Sequence, residues 1–252
     1  MKLSSLQFSI NETPCVFSFR EDSLGDRGVV RQIFQDQDYN FLHWPQGRRL
    51  HEYHQQFCAQ QPALIIDAGA NIGASTVYFS RLFANSRVFA VEPDRMNWHL
   101  LEINTAGQSN VHNFHGAIAD TDGELVLVDP GRSDWGFTTR PIDAVTDAAP
   151  QAGATSARVK SICPASILGH PFAQGAVPLI CKIDIEGGED ALFRGDVSWL
   201  DLFPVVIIEL HDWMLPFSGS SRNFLKAALQ FDFDFLHRGE NVFLFNRRIL
   251  AP

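Results

Sequence analysis

From residue 63 onward, short apolar runs alternate with amphipathic stretches, and this rhythm restricts the fold more than any other feature. The runs Ala63–Ile66, Arg87–Val91 and Val111–His115 are typical of strands, and the stretches between them have helical periodicity. Two further β-branched runs, Leu179–Ile185 and Val205–Leu210, follow later in the chain. Strands that are apolar on both faces and separated by helices predict a doubly wound α/β fold with helices on both faces of a mostly parallel sheet.

The last part of the chain departs from this rhythm. The runs Phe231–His237 and Val242–Asn246 are separated only by a short polar turn at residues 239–241. Two strands joined by so short a turn must be antiparallel. We therefore expect the sheet to finish with an antiparallel last strand.

Two segments lie outside the repeating pattern. Residues 1–60 are expected to form an N-terminal cap with a strand at Val16–Phe19 and a helix at Arg48–Phe57, and residues 61–252 to form a single compact domain. Residues 129–160 are rich in proline, glycine and alanine, which predicts a long surface excursion of the kind that often binds a ligand. Trp135 and Phe137 on it would either stack on a substrate ring or anchor the loop.

Composition excludes several classes of protein. The 252 residues carry a formal net charge of −9, which argues against a nucleic-acid partner because phosphate binding needs clustered cations. The four cysteines form no C-x-x-C pair, so a zinc site is not expected. The first residues lack the apolar core of a signal peptide, and no apolar run reaches the length of a membrane span. These features predict a soluble cytoplasmic protein.

The most informative segment is Leu64–Gly73, which has the pattern of a strand, a glycine turn and the start of a helix. Such a turn brings the backbone close to a ligand and directs free N–H groups at it. Its glycines, Gly69 and Gly73, do not follow the G-x-G-x-x-G order of dinucleotide sites, and Asn71 between them tolerates the left-handed conformation. Ala70 completes the candidate binding turn.

Acidic residues at the predicted strand ends distinguish between ligands. Asp67 would repel a pyrophosphate and favour a cation, such as the ammonium or sulfonium of S-adenosylmethionine. Glu92, at the end of the next strand, could accept hydrogen bonds from both hydroxyls of a ribose. Ala117, after the third strand, is small enough for an adenine to lie against it. The alternative is that Asp67 caps the turn and Glu92 is a solvated charge.

A second acidic group follows the fourth strand. Strand alternation places Lys182, Asp184 and Glu186 on one side, and Glu209, His211 and Asp212 end the fifth strand. Because parallel sheets bind ligands beyond their carboxyl ends, these residues should converge near the cofactor. Methyl transfer to a hydroxyl needs a base, and Asp184, Glu186 and His211 are the candidates, with Asp184 also near the cofactor. One alternative is that the carboxylates cap a helix N-terminus and that His211 is a surface histidine. Another is that the group binds Mg²⁺, although no metal is the prediction.

These residues resemble the FkbM family of S-adenosylmethionine-dependent methyltransferases. The matching pieces are Ile66–Gly73, Val91–Pro93, Lys182–Glu189 and Ile207–His211, and the likeness extends over residues 26–247. The resemblance implies a seven-stranded class I sheet and O-methylation, commonly of sugar or polyketide hydroxyls. It also implies that Asp67, Gly69, Asn71, Gly73 and Glu92 are at cofactor positions and that Asp184 and Glu186 line the cleft.

The sequence departs from the family pattern at one place, and it leaves two other classes of function open. Where members often carry a Leu-Asp pair before the fourth strand, this chain has Ser161–Pro164, so acceptor assignments do not transfer from relatives. The leading prediction is an O-methyltransferase acting on a small-molecule, sugar or secondary-metabolite hydroxyl. The others are a catalytically silent binding module and a nicotinamide-dependent oxidoreductase.

Overall fold

A computed structural model of the protein describes residues 2–129, 138–141, 155–214 and 216–251. The strands are β1 (Leu3–Ile10), β2 (Thr13–Arg20), β3 (Ala63–Ala68), β4 (Ser86–Glu92), β5 (Val111–His115), β6 (Ala117–Ile118), β7 (Gly123–Asp129), β8 (Thr138–Pro141), β9 (Thr155–Ile162), β10 (Val177–Ile183), β11 (Val205–Glu209), β12 (Phe233–Arg238) and β13 (Asn241–Asn246). The α-helices are α1 (Leu24–Val30), α2 (Pro45–Phe57), α3 (Ala74–Leu82), α4 (Arg95–Asn104), α5 (Pro164–Gly169), α6 (Glu189–Leu192), α7 (Arg222–Ala228) and α8 (Arg247–Leu250). A π-helix spans Arg31–Gln35, and 3₁₀-helices span Pro171–Ala173 and Ser198–Leu202.

Seven strands form the central sheet in the order β12-β13-β11-β10-β3-β4-β5. The pairs β10–β11, β10–β3, β3–β4 and β4–β5 are parallel, whereas β13 is antiparallel to both β11 and β12. This arrangement confirms the predicted doubly wound α/β fold with an antiparallel last strand. Because the order reverses beside β3, a ligand-binding crevice is expected beyond its carboxyl end.

The two faces of the sheet have separate hydrophobic cores, as strand alternation requires. Ile65 packs into a core with the N-terminal cap and α3, whereas the adjacent Ile66 packs into a core with α7 and the 3₁₀-helix before β11. Val205 and Val206 separate in the same way. Helices therefore cover both faces, as predicted.

The N-terminal cap contains more structure than the sequence indicated. The predicted strand at Val16–Phe19 is the middle of β2, which pairs with the unpredicted β1 in an antiparallel hairpin. The predicted helix at Arg48–Phe57 begins earlier, at Pro45, because a proline suits the first helical turn. Phe17 and Phe41 of the cap are fully buried in the core that contains Ile65.

The excursion at residues 129–160 is not simply irregular. Thr138–Pro141 and Thr155–Ile162 are strands of a second sheet with the order β6-β9-β7-β8. The predicted long surface excursion therefore contains strands in these two stretches, which the sequence did not indicate. Trp135 and Phe137 lie outside the described residues. In the described parts of the chain, no helix combines the length and the apolar character needed to cross a membrane.

Candidate functional site

A cavity opens at the carboxyl ends of β3, β4 and β10, where the strand order predicts a crevice. Its walls come from the turn after β3, the end of β4, the short strand β6 and the segment after β10. The lining residues are Gly69, Asn71, Val91, Glu92, Pro93, Asn97, Ala117, Ile118, Thr139, Asp184, Ile185 and Glu186. The predicted site residues Gly69, Asn71, Glu92, Ala117, Asp184 and Glu186 are thus brought together.

The glycine turn after β3 is held against β4 by its backbone. The N–H groups of Gly69 and Ala70 both donate to the carbonyl of Val91, each over 3.0 Å. Gly69, Asn71 and Gly73 have φ angles of 74°, 51° and 91°, the left-handed region that glycine and asparagine tolerate. Gly73 immediately precedes α3, so the turn delivers the chain to a helix N-terminus as predicted. Ala70 and Gly73 support the turn but do not line the cavity.

Glu92 is a buried carboxylate at the end of β4, with 5% of its surface exposed. Its Oε2 accepts a hydrogen bond of 2.8 Å from the Asn71 N–H, and its Oε1 accepts one of 2.8 Å from the Asp94 N–H. Burial raises the pKa of Glu92 to about 8, against the opposing effect of these two bonds. The side chain therefore joins the glycine turn to β4 and presents a fixed acceptor to the cavity.

Asp67 does not lie where the sequence argument placed it. Its carboxylate is fully buried and accepts hydrogen bonds from the hydroxyls of Ser75 (2.8 Å) and Thr76 (2.5 Å) at the start of α3. The Nζ of Lys182 lies 3.4 Å from Oδ1 of Asp67. Because this charge is compensated inside the protein and does not line the cavity, Asp67 cannot meet a positively charged ligand directly. The expectation that it faces the methyl donor was wrong in its geometry.

His211, just after β11, is surrounded by carboxylates. Its Nδ1 donates to Glu189 Oε1 over 2.6 Å, and its Nε2 lies 3.5 Å from Glu186 Oε2, 3.5 Å from Glu209 Oε1 and 3.7 Å from Asp184 Oδ1. Only 1% of its surface is exposed, so the alternative of a surface histidine is wrong. The predicted convergence holds for Asp184, Glu186, Glu209 and His211, whereas Glu189 was not predicted as a member.

The pKa values distinguish two of the candidate bases, His211 and Glu186. Burial opposes protonation of His211, but hydrogen bonds to Glu189 and Glu209 outweigh it and raise its pKa to about 11. A histidine that is already protonated at neutral pH cannot accept a proton from an acceptor hydroxyl. Burial, together with the nearby Asp184, raises the pKa of Glu186 to about 7. Of these two groups, Glu186 has the proton affinity that suits a base at neutral pH.

The backbone at Glu186 is also unusual. Its φ angle is 50°, and Gly187 follows at 90°, because the strand ends at Ile183 and the chain turns sharply toward α6. Left-handed backbone at a non-glycine residue is strained and often accompanies a functional position. Because of this turn, strand alternation does not extend beyond Ile183. Alternation would place Ile185 on the side opposite to Asp184 and Glu186, but Ile185 lines the cavity together with them.

Several residues of the site were missed by sequence reasoning. Asn97 on α4 and Thr139 on β8 line the cavity, and neither carries a pattern that would have identified it. Trp213 lies two residues beyond His211, with ring centroids 6.5 Å apart, and 59% of its surface is exposed. The sequence signal for Trp213 was an aromatic residue just past a predicted strand end, whereas its exposure is visible only in the structure.

Asp184, Glu186 and His211 each present a potential metal-ligand atom within 4.8 Å of the others. A proton held by His211 competes with a metal for the same nitrogen, because a ligating imidazole must be neutral. We therefore expect that treatment with EDTA followed by gel filtration changes the affinity of the cavity for its ligand by no more than about twofold. Restoration of a lost affinity by Mg²⁺ would contradict this expectation, and calorimetry with untreated protein is the control.

Comparison with known proteins finds one matching family model and several solved structures with a similar fold. A family model described as the methyltransferase FkbM domain matches residues 67–239. A precorrin-6y C5,15-methyltransferase from Geobacter metallireducens has a similar structure, with 11% identity over 77% of this chain and 84% of that chain and a TM-score of 0.38. A methyltransferase from Geobacter sulfurreducens has 14% identity over 90% and 91% of the two chains, with a TM-score of 0.37. The fibrillarin pre-rRNA processing protein of Methanococcus jannaschii has 9% identity over 75% and 67%, with a TM-score of 0.38. No curated protein matches the sequence.

Proposed function

The chain belongs to the FkbM methyltransferase family and uses S-adenosylmethionine, and from that premise we propose that it methylates a hydroxyl group of a small-molecule, sugar or secondary-metabolite acceptor. The observation that carries the proposal is Glu186, a cavity-lining carboxylate whose pKa is raised to about 7. Hydroxyl methylation requires removal of one proton, and a base with a pKa near the working pH does this most effectively. Because the chain belongs to a methyltransferase family, we do not retain the alternative of a nicotinamide-dependent oxidoreductase.

The cavity supplies complementary groups for each part of the donor. Glu92 would accept hydrogen bonds from the ribose hydroxyls, since both of its oxygens face N–H groups that fix their position. Ala117 and Ile118 would contact the adenine, and the turn containing Gly69 would contact the amino-acid part. Asp184, with 27% of its side chain exposed, takes over the attraction for the positively charged donor that the sequence argument gave to Asp67.

The proposed reaction is a direct displacement at the methyl carbon. The acceptor oxygen forms a bond to the methyl group as the bond from that carbon to sulfur breaks, and the electron pair of that bond remains on sulfur. Glu186 takes the proton of the hydroxyl. The protonated His211, 3.5 Å from Glu186 Oε2, holds this carboxylate in place and does not itself accept the proton.

Charge supports a neutral acceptor over a nucleic acid. Asp184, Glu186 and Glu209 lie within 4 Å of one histidine, and the whole chain has a net charge of −9. A phosphate backbone would meet this negative potential with repulsion. The exposed ring of Trp213 beside the cluster offers a flat apolar surface for a sugar or other ring. The proposal includes a cytoplasmic location, with which the four free cysteines agree.

A direct test of the proposal uses donor labelled in the methyl group. Purified protein is incubated with labelled S-adenosylmethionine and fractionated small molecules and glycans from cells, and the labelled product is identified by mass spectrometry. We expect label in an ether linkage on a neutral compound. Label only in RNA or protein would contradict the proposed acceptor, and binding of S-adenosylhomocysteine without any transfer would favour the silent binding module.

The pH dependence of the reaction provides a separate prediction. Below its pKa, Glu186 carries a proton and cannot accept another, so kcat/KM for the acceptor should fall about tenfold for each pH unit below about 7. The profile is measured with saturating donor, because Glu92 titrates near 8 and would otherwise contribute through donor binding. A profile that is flat between pH 5.5 and 7.5 would, on the same principle, show that Glu186 is not the base.

A further inference from the structure

A buried lysine, Lys182, lies next to the contact between the glycine turn and Asp184, the residue that follows β10. The central strands β3 and β10 pair in parallel, and their register sets Lys182 opposite Asp67. Both side chains point to the face of the sheet that the N-terminal cap covers, the same face as Ile65 and Ile180. Lys182 is only 2% exposed, so it is removed from water and from any direct contact with an acceptor.

The ammonium group of Lys182 has four polar neighbours. It donates to the carbonyl oxygen of Gly69 over 2.6 Å and lies 3.4 Å from that of Ala68. Its two carboxylate neighbours, Oδ1 of Asp67 and Oδ2 of Asp184, are each 3.4 Å away. Burial alone would lower the pKa of Lys182, but Tyr39, Asp184 and Asp67 raise it, and the group remains charged. An ammonium has three protons to donate, so these contacts occupy it fully.

These contacts connect the two halves of the proposed site. The backbone of Gly69 packs directly against that of Asp184, since a Cβ at Gly69 would lie 1.7 Å from the Asp184 carbonyl oxygen. Lys182 donates a hydrogen bond to the carbonyl oxygen of Gly69 next to this contact. It also attracts Oδ2 of Asp184, while Oδ1 of the same carboxylate lies 3.7 Å from His211 Nε2. Asp184 is therefore oriented between two cations.

From this geometry we propose that Lys182 is a positioning residue for the methyl donor, which fixes the turn at Gly69 relative to the carboxylate of Asp184. The inference rests on the proposed donor site. Its competitor is a purely structural role, in which Lys182 only compensates the buried charge of Asp67. Removing one member of a buried ion pair is strongly destabilising, whereas replacing both members is often nearly neutral, and this difference separates the two roles.

The experiment compares Lys182→Met with the double variant Asp67→Asn/Lys182→Met. Melting temperature and the Kd for S-adenosylhomocysteine, by calorimetry, are measured for each variant and for the wild-type protein. We expect Lys182→Met to lower the melting temperature and the double variant to recover most of that loss. We expect the Kd to rise at least about tenfold in both, because neither variant holds the Gly69 carbonyl or the Asp184 carboxylate.

Recovery of the wild-type Kd in the double variant would overturn the proposal and leave a structural role. A wild-type Kd in folded Lys182→Met would overturn it as well. Should Lys182→Met fail to fold, the double variant and Lys182→Arg carry the test, since arginine keeps the charge and should retain donor affinity better than methionine does. Titration of the wild-type protein in parallel distinguishes a failure of this inference from a failure of the donor site itself.

Discussion

The variant Gly69→Ala is expected to lose donor binding almost completely. A Cβ at this position would lie 1.7 Å from the carbonyl oxygen of Asp184 and 2.8 Å from its carbonyl carbon, and backbone atoms cannot move aside as a flexible side chain can. The turn must therefore shift away from β10. A misplacement of about 1 Å can lower the rate of a positioned reaction about 100-fold, and we expect a loss of similar size, about 100-fold, in the affinity for S-adenosylhomocysteine. Isothermal calorimetry measures it directly.

The matched control for this variant is Gly107→Ala. Gly107 has a φ angle of 76°, almost the same as the 74° of Gly69, but no atom lies within 4 Å of the added Cβ. Both variants therefore carry the same backbone strain, about 1–2 kcal/mol, and only one carries the collision. We expect Gly107→Ala to lower the melting temperature modestly and to bind the donor normally. Equal donor affinity in the two variants would show that the close approach of Gly69 to Asp184 does not matter for binding.

The second large effect is expected for Glu186→Gln. The amide has nearly the volume of the carboxylate but cannot accept the acceptor's proton, so kcat should fall by about 10²–10⁴-fold. Donor affinity should change little, because the donor is proposed to be held by the turn after β3, by Glu92 on β4, by Ala117 and Ile118 on β6 and by Asp184 after β10. Methyl transfer to the acceptor identified with labelled donor is the measurement, and calorimetry with S-adenosylhomocysteine checks binding.

Glu52→Gln is the control for removing a carboxylate. Glu52 lies on α2, is exposed and pairs only with Arg49 among the ion pairs of the described residues. Its loss should leave kcat unchanged, since surface ion pairs contribute little. If Glu186→Gln retained at least half of the wild-type kcat, the proton would have to leave by another route, and Asp184 would become the candidate base.

Much of this architecture is predictable from local patterns, and the errors have a common cause. The apolar runs and the short polar turn after Phe233–Arg238 are local signals, and they predict the sheet and its antiparallel last strand correctly. The convergence of Asp184, Glu186 and His211 follows from a general rule for parallel sheets. In contrast, the role of Asp67 depends on the register between β3 and β10, which sets Lys182 opposite it. Register between strands more than a hundred residues apart leaves no local trace.

The choice of base was also beyond the sequence. Three candidates share one site, and what sets His211 apart from Glu186 is the carboxylates around it, which raise its pKa to about 11. Glu189 reaches it from α6 and Glu209 from β11, and neither distance can be read from spacing alone. The left-handed backbone at Glu186 is equally hidden, although the following Gly187 and Gly188 indicate a sharp turn.

The N-terminal hairpin has a consequence for how the enzyme can be divided. Asn104 at the end of α4 exchanges two hydrogen bonds with the backbone of Ser18 on β2 and donates a third to the carbonyl of Ile72 in the glycine turn. Phe41 packs against the rings of Phe243 and Phe245 on β13. A fragment trimmed to residues 67–239 would lack the hairpin, most of β3 and all of β13, and the apolar side chains that these elements cover would be exposed to water. We expect such a fragment to aggregate. The unit that folds is therefore longer than the stretch that the family model matches.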